Sequence, residues 1–292
     1  MNILVTGASG QLGRALRNIS DLSGHKCIFT DIRTEGEVIS LDVTDAAALG
    51  YQLDARHIDM VINCAAYTDV ERAESEQDNA FRINTYAAGV IAGEVARRNI
   101  SLIHVSTDYV FDGKANTPYP ESARPSPLNV YARTKLEGER LIAESGCRHI
   151  IIRTAWLYSA YGRNFFNTIV DKTAFLSEMK VVVDQVGTPT YAPDLAQAIF
   201  HVIDRWDGGQ SGVYNYSGSG VCSWYDFAVA IKEAVGHICH IVPCLSSDFP
   251  TKARRPHYSV LDKSRIMKDF HLDIPHWTES LKMCVMDYES QR

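Results

Sequence analysis

Short apolar runs alternate with longer stretches of helical spacing through the first half of the chain. Asn2–Thr6 and Lys26–Asp31 read as strands, followed by short runs at 38–41, 58–63, 101–106 and 149–154. Between them Gln11–Ile19, an alanine-rich stretch over 78–98 and the segment 128–145 repeat apolar residues at helical intervals. Alternation of this kind builds βαβ units, and successive units build a parallel sheet with helices on both faces. The pattern predicts an α/β fold. After the fifth strand, a polar, proline-containing loop over 108–127 exceeds the usual strand-to-helix connection. Loops of that length in compact domains commonly carry function.

Beyond Thr154 the alternation weakens, and proline and glycine become more frequent. Helices are expected at 162–175 and 223–234, strands at 180–183 and 213–216. This half predicts a smaller C-terminal α/β lid over the carboxyl edge of the sheet. The expected division puts 1–155 in the main domain, completed by about 188–212, and 156–187 with 213–292 in the lid.

The junction between the first strand and first helix carries the sharpest chemical signal. Gly7 permits a tight turn, Gly10 lets backbone approach a pyrophosphate, and Gly13 lets the helix pack closely on the strand. Gln11 and Leu12 open that helix, whose unpaired N–H groups and positive dipole end suit phosphates. The glycine spacing alone is weak, but its place between a strand and a helix predicts a doubly wound Rossmann sheet that binds a dinucleotide. Asp31 closes the second strand where a carboxylate meets an adenosine ribose. Asp42 and Val43 follow the third strand, placed to flank the adenine. Ala65 and Ala66, with Tyr67 beyond them, follow the fourth strand and leave room for the dinucleotide to cross the sheet edge. Asp31 favours NADH, whereas Arg33 nearby suits the extra phosphate of NADPH, so either cofactor is expected.

Charge and composition narrow the class. Lys and Arg total 29 against 35 Asp and Glu, a net charge of −6 with no basic run, which argues against nucleic-acid binding. No apolar run approaches the roughly 18 residues of a membrane span. The N-terminus enters a strand without the pattern of a signal peptide, so a cytoplasmic location is expected. Seven scattered cysteines suit a reducing compartment. His237, Cys239, His240 and Cys244 match no common zinc spacing and read as a strand ending at Pro243; no metal is assigned.

Tyr131 and Lys135 lie one turn apart near the start of the helix after the fifth strand. A lysine so close is expected to pull the tyrosine pKa from about 10 toward neutrality, giving a general acid for a forming alkoxide. Ser106 or Thr107, at the end of the fifth strand, can donate to a substrate carbonyl. Trp156, just past the sixth strand, has a face for a pyrimidine base or a place in the core under the lid. Arg254 and Arg255 fit either a diphosphate or a solvated surface.

The glycine loop with Tyr131 and Lys135 resembles the extended short-chain dehydrogenase/reductase superfamily. Four stretches resemble more specifically the dTDP-4-dehydrorhamnose reductase family: 65–74, Ser-Thr-Asp-Tyr-Val-Phe-Asp-Gly at 106–113, 153–158 and Gly-Thr-Pro-Thr-Tyr at 187–191. Arg255-Pro256 and Ser259-Val260-Leu261-Asp262 add to them, so the likeness spans essentially the whole chain. The resemblance implies Thr107, Tyr131 and Lys135 as the catalytic trio, and Thr107, Asp108 and Trp156 as contacts to a dTDP-4-keto-6-deoxy sugar. It also implies a place in cell-surface polysaccharide synthesis. Oligomeric state stays open, a homodimer being one option.

Three rival readings belong beside this one. A nucleotide-sugar dehydratase needs an Asp-Glu directly after the strand-five threonine, and here Asp108 is followed by Tyr109. An epimerase must return its hydride and so hold its cofactor tightly. A non-catalytic NADP-binding regulatory subunit, like the β subunit of methionine adenosyltransferase, needs no intact trio.

Overall fold

A computed structural model describes residues 1–291. The first half forms β1 (Asn2–Thr6), α1 (Gln11–Ile19), β2 (Lys26–Asp31), β3 (Ile39–Ser40), α2 (Ala46–Ala55), β4 (Met60–Asn63), α3 (Val70–Ala73), α4 (Gln77–Phe81), α5 (Ala87–Arg98), β5 (Ser101–Thr107), α6 (Val130–Glu144) and β6 (Arg148–Thr154). The second half adds β7 (Leu157–Tyr158), α7 (Phe165–Phe175), β8 (Glu178–Val182), β9 (Val186–Gly187), β10 (Thr190–Tyr191) and α8 (Ala192–Arg205). It ends with β11 (Gly212–Asn215), β12 (Cys222–Ser223), α9 (Trp224–Ala234), β13 (His240–Cys244), α10 (Ser264–Phe270) and α11 (Trp277–Ser290).

Seven strands make one parallel sheet in the order β11-β6-β5-β4-β1-β2-β3. The order reverses between β1 and β4, and the carboxyl ends of the strands on either side of that switch point open a crevice. Side chains alternate across the sheet, and both faces are buried. Ile3 and Val5 of β1 pack with Leu12 and Leu16 of α1 and with Leu195 and Ile199 of α8. Leu4, between them, packs with Leu49 of α2, Ile91 of α5 and Ile142 of α6. A fully buried side chain of this size contributes about 1.5–3 kcal/mol, which is why strands covered on both faces read as continuous apolar runs.

Over the carboxyl edge, α7, α9 and α11 pack around Tyr158, Phe166, Phe227 and Trp277. The parallel pair β8–β13 completes this layer.

Several expectations need correcting. β11 pairs with β6 inside the main sheet, so the boundary drawn at 213 falls within a sheet strand. Ile266 and Phe270 of α10 pack under the same sheet, against α8, although 213–292 was assigned to the lid. The stretch 78–98 is interrupted by a π-helical turn at Arg82–Tyr86, and the short third strand is trimmed to two residues. The strand expected to end at Pro243 includes it, extending to Cys244 at the edge of its two-stranded sheet.

Candidate active site

The glycine loop has the close approaches its residues foretell. Gly7 takes φ +66°, and a Cβ there would lie 2.6 Å from the amide nitrogen of Ala65. A Cβ on Gly13 would stand 2.3 Å from the Gly7 carbonyl oxygen. Gly10 caps α1 with no side chain over the helix end, leaving its first amides facing a cavity of about 790 Å³. Gly7, Gly10, Gln11, Leu12, Gly13, Asp31, Asp42, Val43, Ala65 and Ala66 all line this cavity. A side-chain-free cradle at a helix N-terminus, opening on a long cavity, fits the diphosphate of a dinucleotide.

Tyr67 does not line the cavity. Its hydroxyl donates to Glu76 at 2.9 Å, its amide donates to Asn84, and its ring packs in a small cluster with Tyr131. Asp31 accepts from the amides of Ser9 and Arg33, each at 3.0 Å. Asp42 pairs with Arg82 at 2.9 Å, a partner absent from the sequence reading because it arrives from the π-turn. Gln11 lines the cavity, yet its side-chain oxygen accepts from Ser159 and Asn164, both at 2.8 Å, in the lid.

At the other end of the same cavity lie Thr107, Asp108, Tyr131, Lys135 and Trp156. Helix α6 starts at the right place because two acceptors hold its first turn. Asn129 accepts from the amide of Ala132 at 2.8 Å, and Glu74 from that of Val130 at 2.8 Å. Ser106 and Thr107 both line the cavity; Ser106 donates to Glu139, which also pairs with Arg153 at 2.6 Å, while the Thr107 hydroxyl lies beside Tyr131. Thr107 donates to Asp108 at 3.1 Å and accepts from the amide of Tyr109 at 3.2 Å.

Burial dominates the electrostatics. It pushes Tyr131 up to about 12, opposed by the Thr107 hydroxyl beside it. The expected pull of Lys135 toward neutrality does not operate in this geometry. The lysine Nζ donates to the Val105 carbonyl at 2.6 Å and lies 3.2 Å from Nε2 of His104. Burial brings Lys135 itself down to about 8 and raises Asp108 to about 7.

Trp156 lines the cavity half-buried with φ +46°, an uncommon backbone state for a non-glycine residue. Its ring stacks on Trp224 with centroids 3.5 Å apart and planes within 8°. The stack expected from a base is made here by that second tryptophan. Trp224 opens α9 far along the chain, so no local pattern announces the pair. Arg255 pairs with Glu71 at 2.9 Å. Among the described residues no cluster of His, Cys, Asp and Glu could hold a metal, and no helix is long and apolar enough to cross a membrane.

A glycine cradle at the switch point of a parallel sheet, sharing one cavity with a Thr-Tyr-Lys group, defines a dinucleotide-dependent oxidoreductase of the short-chain type. The family model described as the RmlD substrate binding domain matches residues 1–290. The dTDP-4-dehydrorhamnose reductase of Aggregatibacter actinomycetemcomitans is 36% identical over 290 residues, covering 96% of this chain and 97% of that protein. The solved Clostridium acetobutylicum dTDP-4-dehydrorhamnose reductase superposes with a TM-score of 0.92 at 37% identity, covering 99% of this chain and 100% of its own. The Bacillus anthracis enzyme of that name, solved with NADP, gives 0.91 at 32% identity, covering 98% and 99%. The chain belongs to the dTDP-4-dehydrorhamnose reductase family.

Proposed function

We propose that this chain reduces the 4-keto group of dTDP-4-dehydro-L-rhamnose to give dTDP-L-rhamnose, using NADPH or NADH. The observation that carries the reading is the single cavity running from the glycine cradle to Thr107 and Tyr131. Bound at the cradle, the reduced nicotinamide cofactor supplies the hydride. Thr107 donates a hydrogen bond to the carbonyl oxygen, and Tyr131 gives that oxygen its proton as it becomes an alcohol. Lys135, one helical turn along and lining the same cavity, is placed to hydrogen-bond the nicotinamide ribose. Asp108 and Trp156 contact the sugar nucleotide, and the α7–α9 layer covers it.

The test is steady-state oxidation of NADPH and NADH by the purified chain with dTDP-4-dehydro-L-rhamnose, other 4-keto sugar nucleotides and UDP-glucose in parallel. Stoichiometric cofactor oxidation with the dehydrorhamnose substrate supports the assignment. Preferred turnover of another 4-keto sugar would move the substrate within the reductase class. Interconversion of UDP-glucose without net oxidation would replace it by an epimerase, and inertness toward every sugar would favour the regulatory-subunit reading.

A further inference from the structure

Behind the catalytic lysine, a chain of buried polar groups runs across three strands. Thr6 of β1 donates to Oδ1 of Asn63 at 2.7 Å, and the amide of Ala65 donates to the same oxygen at 3.1 Å. The Nδ2 of Asn63 lies 2.9 Å from Nδ1 of His104, and Nε2 of His104 lies 3.2 Å from Nζ of Lys135. His104 is 1% exposed.

These contacts decide where the imidazole proton sits. A backbone N–H can only donate, so the Ala65 amide fixes the Asn63 carbonyl on its own side. The Asn63 amino group must then face His104 and donate to Nδ1. Burial and the neighbouring Lys135 hold the imidazole well below its ordinary value, so it is neutral and carries one proton. With Nδ1 accepting, that proton is on Nε2, aimed at the lysine. An ammonium there sets two donors against each other, whereas a neutral amine offers the lone pair that Nε2–H needs.

We propose that His104, locked in the Nε2–H form by Asn63, is a positioning residue that weakens the hold of Lys135 on its third proton. Val105 accepts from the lysine in either charge state, so the amine stays aimed into the site while its charge becomes adjustable. The other titratable groups around the pair leave this role to His104. Cys64, at the end of β4, and Tyr131, on α6, are each pushed up to about 12 by burial. Glu139, also on α6, favours the ammonium but is engaged by Arg153 and Ser106. His149 of β6 acts on His104 and is not among the groups that shift Lys135. Burial lowers Lys135 in the same direction.

The role of Lys135 in the reaction rests on the function proposed above, so the test follows the amine with no cofactor present. The ¹⁵Nζ signal of Lys135, assigned by its loss in Lys135→Met, is titrated from about pH 6 to pH 11. His104→Phe removes both ring nitrogens, and His104→Asn keeps a partner for Asn63 while removing the Nε2–H donor. Losing one hydrogen bond that favours the neutral amine should tighten proton binding about tenfold or more in both variants, a change of about 1.4 kcal/mol. The basic limb of kcat/KM should move to higher pH with it. An unchanged Lys135 midpoint in either folded variant overturns the proposal, as does a midpoint that falls.

Discussion

Asp108 is 2% exposed at the start of the loop after β5, where burial raises its carboxyl to about 7. The unfolded chain releases that proton near pH 4, so between roughly pH 4 and 7 the folded state binds more protons. Stability from this group is full below about pH 4 and is lost as pH rises through 7. Asp108→Asn, which cannot ionise, should gain on the wild type across that window by up to about 1.4 kcal/mol per pH unit. Urea unfolding of both proteins at pH 4, 6 and 8 checks the sign; a constant difference would show that Asp108 ionises normally. At the other end of the cavity, Asp31 offers a negative charge where the adenosine ribose is expected. Asp31→Ala releases the Ser9 and Arg33 amides and should weaken both cofactors, but it should raise the NADPH-to-NADH ratio of kcat/KM about tenfold, the effect of removing about 1.4 kcal/mol of repulsion. A ratio that stays fixed would place Asp31 away from the ribose. The sequence named Asp31 because it closes a strand whose periodicity is clear, and Asp108 through the family resemblance of 106–113. It missed His104 as a partner of Lys135, because one lies mid-strand in β5 and the other on α6.

Helix α6 carries Tyr131 and Lys135, and its position depends on one glycine. A Cβ on Gly138 would lie 2.3 Å from the carbonyl oxygen of Asn84 and 3.2 Å from the Cβ of Ala88. Helix propensity alone makes Gly138→Ala stabilising by about 1 kcal/mol. The contact with backbone is worse than that gain, since overpacking typically costs about 1–3 kcal/mol. Gly138→Ala should therefore lower Tm and, on the proposed function, reduce kcat by shifting Tyr131 and Lys135; a higher Tm in calorimetry would refute the close packing. The partner of Gly138 lies in the π-turn at Arg82–Tyr86, which the alanine-rich pattern over 78–98 concealed inside one long helix. Helix α8 was missed altogether, although Leu195, Ile199, Val202 and Ile203 line one buried face. It follows the Gly-Thr-Pro-Thr-Tyr run, whose turn residues masked the helical spacing after it. By contrast α1 and β1 were legible to the residue, because a glycine turn separates a continuous apolar run from one of period 3.6.

Across the whole molecule, the parallel sheet and its crevice were legible because local alternation of strands and helices leaves few topologies open. The course of the second half was not. β11 joins the sheet beside β6, about 60 residues along in sequence, and only the packed structure shows that pairing. The Trp156–Trp224 stack and the bonds from Gln11 to Ser159 and Asn164 likewise join parts of the chain with no shared local signal. These contacts tie the glycine-loop helix and the strand-six loop to the layer above, so one cavity holds both the cradle and Tyr131. The claim that this cavity performs hydride reduction with Tyr131 as the acid is tested most directly by a single substitution. Tyr131→Phe removes the proton and leaves the ring, so NADPH affinity measured by fluorescence should stay within about twofold of the wild type. Single-turnover reduction of the 4-keto sugar should slow by roughly 10²–10⁴-fold, the usual contribution of general acid catalysis. A variant that binds NADPH normally and keeps more than half of the wild-type rate would contradict the account.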